Sequence, residues 1–381
     1  MTANSTPNSG EIIVHVFGKT DVGRTREHNE DSFVVADLNS MNATLQPEVR
    51  THRPGAMGSL FMVADGMGGA AAGEIASAMA TEVVLQELDS RWRGAATHDS
   101  ETFARAIKAA TETANARIHR YATEHPENRG MGTTATIAGL LGDTLYLAQV
   151  GDSRAYLVRG GVALQITKDQ SLMQKLVEAG ELTAEEAEVS ERRNIILQAL
   201  GPEPVVKVDL THQQVRRGDV LVLCSDGLSG QIRTTDISRV VGDEADLVNV
   251  CKRLIDLANE NGGPDNITVI AARFDGAGLS VASPGDGVGH QAYTSQSEAR
   301  ATMPVDLDAV QAAEAAAAKT DEVAMVPARR SPPAGTNSPT APMTPVSAPL
   351  AEGRIPKNVL RMIFGAIGLV IVGWLILKFR G

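Results

Sequence analysis

Two cysteines are all that the 381 residues contain. Cys224 closes the apolar run Val220-Leu221-Val222-Leu223-Cys224, and Cys251 shares a helical stripe with Leu247, Leu254 and Ala258. Both read as small buried hydrophobes. No disulfide framework and no zinc spacing can be drawn from them, which fits a reducing compartment. Positive charge is also in short supply. The formal net charge is −11, which argues against a general nucleic-acid binder, usually a basic protein. The opening Met-Thr-Ala-Asn-Ser-Thr-Pro-Asn-Ser-Gly has neither the basic flank nor the apolar core of a secretory leader. Residues 1–11 read instead as a short disordered lead.

What is present divides into three textures. Residues 12–275 are globular in composition, within a chain that is 43% hydrophobic and so has enough apolar mass for a sizeable core. Strands are expected at 12–17, 32–36, 60–63, 134–141, 144–150, 155–158, 205–211, 219–224 and 267–273. Apolar residues at helical spacing predict helices over 74–92, 101–121 and 245–259. Many strands with long helices indicate an α+β domain. Residues 276–356 are rich in Ala, Pro, Ser, Thr and Gly, with few large apolar side chains, and read as a flexible linker. Residues 357–381 differ again. The stretch 362–377 carries no charge, and 359–379 is long enough to cross a hydrocarbon core about 30 Å thick at about 1.5 Å per residue. Arg361 and Lys378 can snorkel to the head groups. Arg354, Lys357 and Arg361 before the span outnumber Lys378 and Arg380 after it, which favours an inner membrane with the globular part on its cytoplasmic side.

Within the globular part, Asp31, Asp65, Asp226 and Asp265 each sit in a turn-like context close to an apolar strand-like run, and Asp152 in Gly151-Asp152-Ser153-Arg154 has the same placement. One Asp-Gly pair is ordinarily just a turn. Several carboxylates converging from strand ends would bind a hard divalent cation through oxygen. With no His/Cys cluster in sight, Mg²⁺ or Mn²⁺ is the expected ion.

The order of the motifs narrows this further. Thr20-Asp21-Val22-Gly23, Asn29-Glu30-Asp31, Val63-Ala64-Asp65-Gly66-Met67-Gly68-Gly69, Met131-Gly132-Thr133-Thr134, Val150-Gly151-Asp152-Ser153-Arg154, Leu223-Cys224-Ser225-Asp226-Gly227-Leu228 and Pro264-Asp265-Asn266-Ile267-Thr268 follow one another along about residues 14–274. In this the chain resembles the metal-dependent, type 2C serine/threonine protein phosphatases of bacterial type. The resemblance implies a central antiparallel β-sandwich flanked by α-helices on both faces, with two Mn²⁺ or Mg²⁺ ions at one end and a third, looser one in bacterial relatives. It implies that Asp65 bridges two ions, with the Gly66 carbonyl completing one shell. Asp226 and Asp265 would serve one ion, Glu30 and Asp31 the other, and Asp152 with Asp226 the third. Arg26 takes the position of the phosphate clamp. The reaction implied is hydrolysis of phosphoserine and phosphothreonine by a metal-bridging hydroxide, without a phosphoenzyme. The partners implied are phosphorylated proteins and a bacterial Ser/Thr kinase whose action is reversed. A non-catalytic phosphoprotein-binding module and a small-molecule phosphomonoesterase are the alternative functions. Two positions depart from the family pattern. Met67 stands where eukaryotic relatives carry histidine, as is usual in bacterial members, and Gln170 replaces a histidine common in bacterial ones. Glutamine cannot shuttle protons near neutral pH, so Gln170 is expected to alter turnover or substrate choice without removing activity. Residues 171–201 correspond to the flap beside the active site.

Overall fold

The computed structural model describes residues 10–294 apart from 42, 44–50, 69, 70, 189, 191 and 193, and apart from the side chains of 184 and 188. The expected lead up to residue 9, the rest of the expected linker from 295 and the expected membrane span lie outside the described residues. Among the described residues no helix is long and apolar enough to cross a membrane.

Among the described residues twelve strands form two antiparallel sheets. The first sheet runs in the order β3 (Thr51–His52), β1 (Ile13–Asp21), β12 (Ile267–Asp275), β11 (Val220–Cys224), β8 (Arg154–Arg159), β9 (Val162–Gln165). The second runs β10 (Asp209–Gln214), β7 (Thr144–Val150), β6 (Ala135–Leu141), β4 (Ser59–Met67), β2 (Asp31–Asp37), with β5 (Gly132–Thr133) paired to the end of β4. Helices α1 (Ala72–Leu88) and α2 (Ser100–Glu124) cover the second sheet, while α6 (Thr234–Asp243) and α7 (Leu247–Glu260) cover the first. Two short helices, α3 (Leu172–Glu178) and α4 (Ala184–Glu188), occupy the 171–201 segment, and α5 (Asp226–Ser229) is a single turn after β11.

The strands read as unbroken apolar runs because both of their faces are buried. Successive side chains point to opposite faces of a strand, and the core obeys this. Val220, Val222 and Cys224 pack under α6 and α7, whereas Leu221 and Leu223 fill the space between the sheets. On β12, Val269 and Ala271 face the helices and Ile270, Ala272 and Phe274 face inward. On β4, Leu60, Met62 and Ala64 meet the helix layer, and Phe61 and Val63 the inter-sheet layer. Four layers result, helix–sheet–sheet–helix, and the expected α+β sandwich is what the structure shows.

Several boundaries differ from expectation. The helix expected over 74–92 ends its α-helical part at Leu88 and finishes in a wider π turn, Asp89–Arg93. That turn carries Trp92 into the core, where its indole N–H donates to the Met57 carbonyl at 2.8 Å. The strand expected over 205–211 is displaced to Asp209–Gln214, because Val205 is 82% exposed and belongs to a loop rather than a ladder. Helix α6 and strand β9 had no counterpart in the expectation.

The chain does not leave the sandwich at Asp275. The first part of the segment expected as linker, residues 276–294, packs back onto the domain. Leu279 is fully buried in the inter-sheet layer, with Val288 against it. Arg216 grips Asp286 with two nitrogens, at 2.9 and 2.8 Å. Farther along, the His212 N–H donates to the Gln291 carbonyl at 2.9 Å and the Tyr293 N–H to the Leu210 carbonyl at 2.8 Å, which covers the open edge of β10. A composition poor in large apolar residues hid this, because a few anchors suffice when a chain lies along an existing surface. Leu279→Ala is expected to cost about 2–5 kcal/mol of unfolding free energy, the usual range for emptying a closed leucine site. Urea unfolding checks it, and a loss below about 0.5 kcal/mol would mean that the segment is not anchored.

Candidate active site and metal centre

The alternation that fills the space between the sheets also builds the site. Continuing the inward-facing positions toward one end of the sandwich replaces apolar side chains by polar ones. Val35 and Phe33 lead to Asp31 on β2, and Phe61 and Val63 to Asp65 on β4. Leu221 and Leu223 lead to Ser225 after β11, and Phe274, Ala272 and Ile270 to Thr268 on β12. Asp31 and Asp65 stand directly opposite one another in the β2–β4 ladder.

Hydroxyls and amides hold these carboxylates in place. Asp31 Oδ2 accepts from the Thr268 hydroxyl at 2.6 Å and the Ser225 hydroxyl at 2.8 Å. Asn29 Nδ2 donates to the Thr20 hydroxyl at 2.8 Å, and that hydroxyl lies 2.8 Å from Thr268 Oγ1, so the donors run in sequence toward Asp31. The Asp65 N–H donates to Thr134 Oγ1 at 3.0 Å, and the Asp65 carbonyl accepts from the Thr134 N–H and the Thr133 hydroxyl, both at 2.9 Å. Asn266 ties the Arg26–Glu30 loop to β12. Its side-chain oxygen accepts from the Glu30 N–H at 2.8 Å, and its amide group donates to the carbonyls of Val22 at 3.0 Å and His28 at 2.9 Å. Gly66 lies so close to the carbonyls of Glu30 and Gly73 that any Cβ there would collide with backbone, which accounts for the glycine after Asp65.

Burial and like charge raise the affinity of these groups for protons. Burial pushes the Asp31 carboxyl up to about 7, against the pull of the Thr268 and Ser225 hydroxyls, with Asp226 and Asp265 adding to the rise. Asp152 is pushed up to about 8 by burial and then by Asp226. Asp65 is held well above the carboxylate range by burial and by the fields of Asp31, Asp226, Asp152 and Asp265. Asp226 is raised by burial and by Asp265, and it hydrogen-bonds Asp65. Two carboxylates in such contact share a proton or a cation.

The expected acids are therefore brought together. A cleft of about 270 Å³ is lined by Asp152, Asp226 and Asp265 with Arg26, Arg154 and Asp169. Among the described residues no three acidic, histidine or cysteine side chains already form a closed cation cage. The donor set nevertheless fits one. Asp31 Oδ1 and Asp152 Oδ1 are buried and have no hydrogen-bond partner, and hard carboxylate oxygens in a cluster of like charge are what Mg²⁺ and Mn²⁺ select. Arg26 lies at the rim, 47% exposed, donating to Asp265 at 2.9 Å and standing 3.9 Å from Glu30. Glu30 is half-buried, and burial raises its carboxyl despite Arg26. Gln170 acts as a bracket. Its Oε1 accepts from the Gly151 N–H at 3.0 Å, and its Nε2 donates to the carbonyls of Gln149 and Lys207, both at 3.3 Å. Sequence reasoning assigned no task to Ser225, Thr268, Asn266 or Thr134. All four lie inside motifs already singled out, and their inward-facing positions at the strand ends were the available signal.

A family model, protein phosphatase 2C, matches residues 46–272, more than half of the chain. The chain belongs to the protein phosphatase 2C family. It is 35% identical to the serine/threonine phosphatase Stp of Listeria monocytogenes over 262 residues, which span 69% of this chain and 96% of that one. The crystal structure of the Mycobacterium tuberculosis serine/threonine phosphatase PstP superposes with a TM-score of 0.58 at 34% identity, covering 69% of this chain and 99% of that chain. A structure of the PstP catalytic domain in complex with two manganese ions does so with a TM-score of 0.56 at 34% identity, over 69% of this chain and 99% of that chain. Membership carries the enzyme class, a serine/threonine protein phosphatase, and the α+β fold.

Because the folded protein holds protons on Asp31 and Asp152 that the unfolded chain releases near pH 4, raising the pH favours the unfolded state through the window from about 4 to 7–8. Thermal melts in chelator should fall in midpoint across that window. Added Mn²⁺ should raise the midpoint more at pH 8 than at pH 5, since a cation and protons compete for the same oxygens. A chelated protein equally stable at both pH values, with no Mn²⁺ effect, would contradict the cluster.

Proposed function

We propose that this phosphatase removes phosphate from phosphoserine and phosphothreonine in proteins, that it does so with two divalent cations held at the end of the sandwich, and that it is tethered to a membrane and opposes a Ser/Thr kinase. The observation that carries the reading is the convergence of Asp31, Asp65, Asp152, Asp226 and Asp265, two of them with a buried oxygen that has no partner. In this reading Asp65 and the Gly66 carbonyl would hold two Mn²⁺ or Mg²⁺ ions, with Asp226 and Asp265 serving one and Glu30 and Asp31 the other, and Asp152 with Asp226 would hold a third. When bound, the ions supply an activated water and neutralise charge on the phosphoryl group.

The chain's own residues do the rest. Arg26 presents a planar guanidinium suited to two phosphoryl oxygens. Its pairing with Asp265 is exposed to solvent, and exposed ion pairs are worth only about 0–1 kcal/mol, so exchanging Asp265 for an incoming phosphate costs little. The Thr268 and Ser225 hydroxyls fix Asp31 so that its other oxygen is the one on offer. A binding module without catalysis would tolerate loss of an acid from the cluster, and every member is in place.

Phosphate release from a phosphothreonine peptide is expected to require Mn²⁺ or Mg²⁺. It should fall more than about a hundredfold in Asp65→Asn, since even outer partners of a metal site are worth about 10–100-fold. A folded variant with near-normal turnover would overturn the bridging role. The tether rests on the uncharged stretch at 362–377 and the cationic residues around it. The full chain should stay with membranes through an alkaline carbonate wash, and a chain ending at residue 356 should not. Release of the full chain by the wash would remove the anchor.

A further inference from the structure

Among the described residues a mostly apolar groove stays open near the strand end that carries Asp65. It has a volume of about 320 Å³ and is formed by the end of the 171–201 segment and the loop that follows, lined by Ile196, Leu197, Pro202, Val205, Val206 and Met67 together with the polar Gln198 and Glu203. Leu197 is 48% exposed and Val205 82%. The walls are held rather than loose. The Leu197 N–H donates to the Gln170 carbonyl at 2.8 Å, and the Lys207 N–H donates to Gln198 Oε1 at 2.9 Å. Leu200 and Thr133 exchange backbone hydrogen bonds at 3.0 and 2.8 Å, which fixes the loop to the strand end that carries the site.

Its position says what it is for. Met67 is two residues from Asp65 on β4. Residues two apart on a strand leave the same face, about 7 Å from one another. The groove therefore starts about two extended residues from the central carboxylate of the cluster. Met67 thus joins the groove to the strand that carries Asp65, and the groove's lining is mostly apolar, Gln198 and Glu203 aside, where the acid cleft is lined by carboxylates. A substrate that places a phosphorylated residue at the cluster can carry its adjoining backbone past this opening.

We propose that the groove is a specificity subsite, taking an apolar side chain of the phosphoprotein substrate within two residues of the phosphoserine or phosphothreonine. This inference rests on the phosphatase reading above and adds a substrate class to it. An acidic neighbour at that position would be rejected twice, by an apolar wall and by the carboxylates beyond it. Discrimination in such pockets is about tenfold or more per methylene group gained or lost.

The test uses the full chain with Mn²⁺ and a phosphothreonine peptide in an alanine host, with leucine, alanine or aspartate placed in turn at each of the two positions on either side. Leucine at one of these positions should raise kcat/KM at least about tenfold over alanine there, and aspartate should lower it. Val205→Asp, at a position too exposed to threaten folding, should abolish the leucine preference. Val162→Asp, exposed on the distant edge strand β9, should keep it. Equal hydrolysis of leucine and aspartate peptides by the wild type overturns the proposal, as does an undiminished preference in Val205→Asp. A rise in all peptide rates in Val205→Asp would show instead that a segment of the chain itself fills the groove, which also overturns it. p-Nitrophenyl phosphate separates the two failures. Hydrolysis of this ester without any peptide preference removes the subsite alone, whereas no hydrolysis of ester or peptide removes the phosphatase reading with it.

Discussion

Asp31 and Asp65 face each other across an antiparallel ladder, on the buried side, with Asp226, Asp152 and Asp265 close enough to raise their proton affinity. Like charges directly opposite in a sheet destabilise it, and burial makes each charge dearer still. A sandwich end built this way holds together only if something compensates, and most of the local architecture can be understood as that compensation. Thr268 and Ser225 donate to one oxygen of Asp31. Thr134 and Thr133 grip the Asp65 backbone and fix where its side chain starts. The remaining repulsion is relieved by a proton or a cation, and this couples folding stability to pH and to metal in one cluster of oxygens.

The same need explains why the polar layer is confined to one end. Thr136 donates to Gln149 Oε1 at 2.8 Å, and Gln149 Nε2 donates to the Ser153 carbonyl at 2.7 Å. These buried groups satisfy one another immediately behind the acids. Farther in, Leu140, Leu147, Leu157, Leu223 and Phe274 supply an apolar fill with nothing to solvate a charge. A carboxylate one inward-facing position deeper would be stranded. Asn266 extends the logic to a loop, because three backbone groups from the Val22–Glu30 segment meet its amide. The Arg26 end of the site is thereby registered against β12 without a strand of its own.

How much of this could be read beforehand follows from the range over which each signal acts. The acids were legible because each follows an apolar run, and a strand end beside glycine is a local feature. Strand alternation is also local, yet it was not used to pair Asp31 with Ser225 and Thr268, since which strands become neighbours depends on sheet order. The helix α6 went unread because its apolar stripe is short, with only Ile237 and Val240 buried. The displaced β10 shows the reverse error. Val205 and Val206 look like a strand, but their side chains serve a groove instead of a ladder. Composition failed over 276–294 because it averages, and a segment needs only Leu279, Val288 and the Arg216–Asp286 pair to stay down.

Gln170 shows how such parts are joined. The expectation treated it by its proton chemistry, as a poor substitute for histidine. Its geometry gives it a different weight. One side chain meets the N–H of Gly151, next to the acid Asp152, and the carbonyl of Lys207. The Lys207 N–H is in turn held by Gln198, which lines the apolar groove. Gly151 has φ +101, and a Cβ there would strike Thr134, the residue that anchors Asp65. Carboxylate, bracket and groove thus form one continuous set of contacts across residues that are far apart in the chain. Gln170 also donates to the Gln149 carbonyl at 3.3 Å, and a neutral imidazole, with one donor and one acceptor, could not make that third bond as well. The departure at position 170 is therefore better understood as a structural tie between the acids and the groove than as a missing proton shuttle.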